Sequence, residues 1–192
     1  IIIDLPPELL DQMGLGVGDD LELTVANGTL VLTPMDNAAS VRPMFAGVLR
    51  HDAYHAYRTR LEALLHISVN ASDLDIHDMI VAGFSASLIK VLCDDGTLSD
   101  EERDRIIQPK TLKTKLSANQ LLTLPVSDRL FRFVHITAMA EVIFGDKVKA
   151  KQWLSKPKAR FLGESPSSMV ASTFGTHLVE EMLIQVSEGM SF

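Results

Sequence analysis

The chain of 192 residues is 46% hydrophobic and 22% charged, the balance of a globular protein of one domain or two small ones. Its net charge is −7 and no apolar run approaches the roughly 20 residues that span a bilayer, which excludes a membrane-spanning protein and confines any nucleic-acid surface to a local patch. A single cysteine, Cys93, excludes an intrachain disulfide framework and fits a reducing cytoplasm, the expected location.

Charge is unevenly spread. Residues 1–43 carry one base against seven acids and 44–98 four against seven, while 99–135 carry seven bases against five acids and 136–192 balance six against six. Charge therefore places any nucleic-acid surface in the third stretch. No signal-peptide pattern opens the chain, and it starts at Ile1 with no methionine, so either residues were removed or the numbering begins inside a longer product.

In chain order, residues 1–35 read as a separate unit. Pro6-Pro7 opens a short helix that Gly14 closes. Leu21, Leu23 and Val25 alternate with Glu22 and Thr24 as in a half-buried strand, Asn27-Gly28 supplies a two-residue turn, and Thr29–Thr33 returns. Residues 36–47 are small, polar and proline-interrupted, a linker.

A helix over about 50–66 follows, with Tyr54, Tyr57, Leu61, Leu64 and Leu65 on one face. His51 and His55 stand at the i, i+4 spacing that can hold a metal, but no third ligand completes it, and a solvated helix start is the reading. Asp73 is the expected cap of a helix over 74–82 ended by Gly83. Ser85 caps 86–94 with Gly96 beyond, and Ser99-Asp100-Glu101-Glu102 is a capping box opening a helix to about Ile107. Pro109 starts a helix to about Ser117, which Leu112 and Leu116 anchor inward while Lys110 and Thr114 point away. Cys93, beside Val91 and Leu92, is read as a small core residue.

Ser127 is the expected cap of a longer helix closed by Gly145. It is apolar nearly all round and so is the buried spine of the fold. His135 within it reads as a core or interface histidine. Asp146 caps the next helix, whose Trp153 is read as core, and Ser165-Pro166 opens another with Met169 and Val170 inward. Thr173 is the expected cap of the last helix, from Phe174 to Gly189. Leu178, Val179, Met182, Leu183 and Val186 form its apolar stripe, and Glu180, Glu181 and Gln185 lie off it, facing water or a partner. Periodicity alone makes this an ordinary docking helix. The expected fold is mainly α: a helical bundle with a helix-turn-helix and a C-terminal helical domain, preceded by a small β-hairpin.

Catalytic constellations are absent from the sequence. It holds no G-x-S-x-G elbow, Walker A loop or H-E-x-x-H, and the Gly14–Gly18 run precedes a strand rather than a helix. No enzymatic activity, cofactor or metal is expected.

Several short motifs stand in a telling order: Ser127-Asp128-Arg129-Leu130, Phe144-Gly145-Asp146, Ala150 with Trp153-Leu154, Leu162-Gly163, Ser165-Pro166, Val179-Glu180-Glu181 and Glu188-Gly189. Together they resemble the toxin-binding domain of bacterial Xre/MbcA/ParS-type antitoxins. Upstream, Gly83–Ser87, Leu98–Arg103 and Pro109–Lys113 resemble that family's degenerate helix-turn-helix, in which the helix from Pro109 corresponds to the recognition helix. At the N-terminus, Leu5-Pro6 with Glu8-Leu9-Leu10, Gly14-Leu15 with Gly18-Asp19 and Leu21-Glu22-Leu23, and Asn27-Gly28 with Leu30-Val31-Leu32 and Pro34 resemble the swapped-hairpin barrel of the AbrB/MazE family. That family's basic N-terminal strand is mostly missing here and the segment is acidic, which favours dimerisation over DNA contact.

The resemblance implies a type II antitoxin that neutralises a RES-domain toxin, NAD-consuming or ADP-ribosylating, by covering its active site. It also implies autorepression of the operon by binding operator DNA, and a homodimer. Its organisation would be a dimerisation hairpin at 1–35, the linker at 36–47, a helix-turn-helix domain at 48–123 and a toxin-binding domain at 124–192. Matching toxin-binding positions are Glu188, Gly189, Met190, Ser191 and Phe192, supported by the helix with Glu180 and Glu181. Matching DNA-binding positions are Lys110, Thr111, Lys113, Thr114 and Lys115; arginine, the usual guanine reader, is missing from them. The alternatives are a dimeric transcription regulator without a toxin partner, and a scaffold whose helix-turn-helix no longer binds DNA.

Overall fold

The computed structural model describes residues 51–189 and, for the backbone, two strands at 21–26 and 29–34. The chain divides into two compact units, 1–41 and 42–192. In the first, β1 (Leu21–Ala26) pairs antiparallel with β2 (Thr29–Pro34), setting Leu23 opposite Leu32 and Val25 opposite Leu30. Ala26 pairs with Thr29, the register a two-residue loop dictates. The expected helix after Pro6-Pro7, the Asn27-Gly28 turn itself and the linker lie outside the described residues.

The second unit is helical, in keeping with the mainly α expectation: α1 (His51–Leu65), α2 (Asp73–Ala82), α3 (Ala86–Asp94), α4 (Asp100–Ile106) and α5 (Pro109–Ser117) come first. They are followed by α6 (Leu124–Phe144), α7 (Lys147–Ser155), a 3-10 turn (Ala159–Phe161), α8 (Pro166–Met169) and α9 (Thr173–Ser187). Helix α6 is the spine the sequence indicates. From Phe133 to Ala140 it is buried without a break, and it packs against α1, α2, α4, α7 and α9. A helix buried on every side has no polar face to spare, which is why its sequence lacks amphipathic periodicity.

Three helix starts differ from expectation, two because a neighbouring serine does the capping and one because a proline opens the helix earlier. Ser72, not Asp73, caps α2: its hydroxyl accepts from the Asp75 amide while the Asp75 carboxylate accepts the Ser72 amide at 2.8 Å, a complete capping box. Asp73 sits one place further on, in the first turn. Helix α6 begins a turn earlier than Ser127, after Thr123, because Pro125 fits a first turn where its missing N–H costs nothing. Ser127 is buried instead, its hydroxyl accepting the Phe84 amide at 3.1 Å. Ser172, not Thr173, caps α9, accepting the Gly175 amide at 3.0 Å.

Trp153 is half-buried rather than core. Its ring lies 5.6 Å from that of Phe144, with the Lys158 ammonium 4.8 Å from its centroid, so a cation covers what the core does not. Cys93 is likewise half-buried against the core, and burial pushes its thiol up, away from reactivity. One buried charge gave no sequence signal. Arg58 on α1, 3% exposed, donates to the carbonyls of Ser68, Val69 and Ala71, tying down the loop that leads into α2.

Candidate toxin-binding and nucleic-acid surfaces

Helix α9 has two opposite faces. Inward, Val179, Met182 and Leu183 are almost fully buried against the bundle. Gly175 lets the first turn approach this closely: a Cβ there would stand 2.0 Å from the carbonyl oxygen of Met169. Glu180 also points inward, contrary to the expectation that it faces water or a partner. It is 5% exposed, and its carboxylate accepts from His135 Nε2 at 2.9 Å and from His177 Nδ1 at 2.8 Å.

The line of contacts continues through His135 to α1, where the Tyr57 hydroxyl lies 2.6 Å from His135 Nδ1. Burial raises the Tyr57 phenol far above its usual range, so it keeps its proton; the Glu180 carboxylate can only accept, so Nε2 carries the hydrogen between His135 and Glu180. Burial pushes the Glu180 carboxyl up, but the hydrogen bonds and charges of His135 and His177 outweigh it and hold the group below the ordinary carboxylate range. Phe131 stacks on the same imidazole, ring centroids 5.9 Å apart. One chain of polar contacts thus joins α1, α6 and α9 through the interior, and it fixes how α9 is seated.

Phe174, Leu178, Glu181, Gln185 and Glu188 recur at alternating steps of four and three, a stripe away from the most deeply buried one, on which Phe174, Glu181 and Glu188 are exposed while Leu178 is partly buried and packs against the core. Phe174 is 74% exposed. The turn at 158–164 is fastened to this stripe by Arg160, which donates to Gln185 Oε1 at 2.7 Å and to Glu181 Oε2 at 3.3 Å. Within that turn Phe161 is buried while Leu162 is 97% exposed at φ 54°. The left-handed region costs a non-glycine residue roughly 1–2 kcal/mol, and a fully exposed leucine returns nothing to its own fold. At the far end of the stripe Glu188 caps α9 and Gly189 takes φ 84°, both exposed; Met190, Ser191 and Phe192 lie outside the described residues.

The second surface is α5. Leu112 is buried and Leu116 partly so, which turns Lys110, Thr111, Lys113 and Thr114 outward. Among the described residues Lys110 and Lys113 pair with no acid, whereas the arginines of α4 are spent locally, Arg103 on Asp100 and Asp104 and Arg105 on Glu101. Lys115 departs from the rest of the basic set. It is half-buried and its Nζ donates to the Leu121 carbonyl at 2.8 Å, so it braces the loop after the helix. Thr114 donates its hydroxyl to the Lys110 carbonyl.

Residues 139–189, a span that holds the whole of α9, the Leu162 turn and Trp153, match the profile of the antitoxin Xre/MbcA/ParS C-terminal toxin-binding domain. Residues 2–39 match that of the antidote-toxin recognition protein MazE, a bacterial antitoxin. The chain is 52% identical over 153 residues, 80% of its own length and 96% of the relative's, to the antitoxin Xre of Pseudomonas putida. The chain belongs to the Xre/MbcA/ParS antitoxin family.

This antitoxin therefore has a toxin for a partner, and its toxin-binding domain contains the outer stripe of α9. The expected contact residues divide there. Glu181 and Glu188 are exposed on the stripe and Gly189 follows it, but the Glu180 carboxylate is turned into the interior. Sequence reasoning singled out neither Arg160 nor Phe174, and noted Leu162 only within the Leu162-Gly163 motif. Standing four residues before Leu178 on the apolar stripe, Phe174 gave no sign of its exposure, and Leu162 gave none either. Around the expected solvated start of α1, His55 is exposed, and no group of three or more metal-binding side chains gathers among the described residues. No helix among them is long and apolar enough to cross a membrane.

Proposed function

We propose that this antitoxin neutralises a RES-domain toxin, one that consumes NAD or transfers ADP-ribose from it, by covering the toxin's active site with the end of α9 and the tail beyond it. The contact positions are Glu181, Glu188, Gly189, Met190, Ser191 and Phe192, with Glu180 supporting them from within. The observation that carries the reading is the disposition of α9: anchored inward through His135 and Glu180, it leaves Phe174, Glu181 and Glu188 exposed on its outer stripe, the last of them next to the chain's final residues. An acidic stripe end suits a cleft that binds a dinucleotide's phosphates, because both demand opposite charge. Deleting residues 188–192 is expected to weaken inhibition of NAD consumption by the co-encoded toxin at least about tenfold, with helical content unchanged. Unchanged inhibition by the truncated protein contradicts the proposal.

The same reading includes autorepression. Homodimerisation through the MazE-like N-terminal segment would pair two copies of α5, and the unpaired Lys110 and Lys113 supply charge for operator phosphates, with Thr111, Thr114 and the flanking Lys115 in support. Replacing Lys110 and Lys113 together by alanine is expected to lower operator affinity and to reduce its salt slope by about two. A salt titration identical to that of the unaltered protein removes α5 from DNA binding. A dimeric regulator without a toxin partner is disfavoured by the match to a toxin-binding domain.

A further inference from the structure

We propose that the toxin is gripped, away from its active site, by an apolar anchor on the turn before α8, Leu162, acting with Phe174 on the outer stripe of α9. The proposal rests on the reading that α9 presents its outer stripe to the toxin, and it adds a second point of attachment beside the tail.

The turn is built to display one side chain. The Leu162 amide donates to the Ala159 carbonyl, the Gly163 amide to that of Lys158 and the Glu164 amide to that of Phe161, each at 3.0 Å, while the Lys158 amide donates back to Glu164 at 3.0 Å. Phe161 is buried beneath, so the loop cannot roll over and hide the leucine. These four hydrogen bonds and the buried Phe161 hold Leu162 in a conformation that glycine adopts without penalty, with its side chain 97% exposed. Stability of the antitoxin alone would favour glycine at this position. A leucine held there has its use outside the molecule.

The occupant follows from where the anchor is fastened. Arg160, two residues earlier, bonds to Glu181 and Gln185 in the middle of the α9 stripe, so the turn is fixed to the helix whose far end carries the proposed plug. Phe174 lies on that stripe too, 74% exposed at the end remote from the tail. Both apolar side chains fall inside residues 139–189, the span matched by a toxin-binding domain. Interfaces draw their energy from a few such apolar anchors buried at the centre, with charged groups at the rim; Glu181 and Arg160 supply a rim here. The toxin surface that fits is an apolar pocket for Leu162 and a flat apolar patch for Phe174.

The test uses the full-length antitoxin and its co-encoded toxin, with Kd from calorimetry and inhibition from NAD consumption measured side by side. The variants are Leu162→Gly, Phe174→Ser, their combination, and the deletion of 188–192. Leu162→Gly is expected to leave the thermal midpoint of the free antitoxin unchanged or higher while raising Kd about tenfold, and the combination to raise it about a hundredfold. An unchanged Kd for the combination, with the deletion still weakening inhibition, overturns the anchor and leaves the plug standing. A Kd raised by the combination while the deletion has no effect supports the anchor and overturns the plug. A fall in the thermal midpoint on Leu162→Gly contradicts the claim that this side chain serves only the complex.

Discussion

Helices α9 and α5 both carry surfaces assigned to a partner, and they are held in opposite ways. Helix α9 is over-determined: a serine cap, a glycine pressed against a carbonyl, three almost fully buried apolar side chains and a buried carboxylate joined to two histidines and a tyrosine. Helix α5 has nine residues, a cap residue without a side-chain bond, and Leu112 as its one buried anchor among the described residues. The difference fits what each is proposed to meet. A surface that must match one folded protein gains from rigidity, since every side chain already in place lowers the entropy lost on binding. A few lysines that meet phosphate need charge and reach more than fixed geometry.

If the seating of α9 resides in the buried polar chain, Glu180→Ala is the most damaging change. It removes a carboxylate from two donors and leaves His135 Nε2 without its acceptor, and we expect a loss of about 3 kcal/mol in urea unfolding. A loss no larger than that of an exposed control such as Glu181→Ala would mean the chain seats nothing. Next comes Gly175→Ala, whose added Cβ meets the Met169 carbonyl at 2.0 Å; a loss of about 2 kcal/mol is expected, read in the same way.

Smaller, but specific to mechanism, is the pH response. The Glu180 carboxyl lies below its ordinary range in the folded protein, so the unfolded chain takes up its proton first as pH falls. Its contribution is complete above the ordinary carboxylate range and disappears as pH drops through the lowered folded value. Glu180→Gln should therefore flatten the fall in thermal midpoint on the acid side; an unaltered acid limb would contradict the assignment. Smallest is the contrast within α5. Lys113→Ala should weaken operator binding more than Lys115→Ala, because the Lys115 ammonium is engaged by the Leu121 carbonyl. Equal effects in gel shifts across salt would erase that distinction.

How much of this the sequence disclosed depends on whether the cause was local. The caps at Ser85, Ser99 and Asp146, the proline at Pro109 and the spread of apolar residues nearly all round α6 are decided within a few residues, and they were legible. Ser72 and Ser172 were each missed by one position because a second capping residue type stands beside them, and only the hydrogen bond tells which hydroxyl acts. The inward turn of Glu180 was not legible at all. It sits at the edge of the apolar stripe, and it is buried only because His135, 45 residues away on another helix, is there to receive it. Leu162 is the converse case: its neighbours are ordinary turn residues, and its exposure comes from Phe161 and Arg160 choosing different partners.

The central claim is that α9 gives its inner face to the antitoxin and its outer face to the toxin. Hydrogen–deuterium exchange of the full-length protein, free and bound to the co-encoded toxin, measures this directly. The account predicts that binding slows exchange at 160–164 and at 185–192 and leaves 109–117 unchanged. Protection concentrated in 109–117, with the turn and the end of α9 exchanging as before, would contradict it.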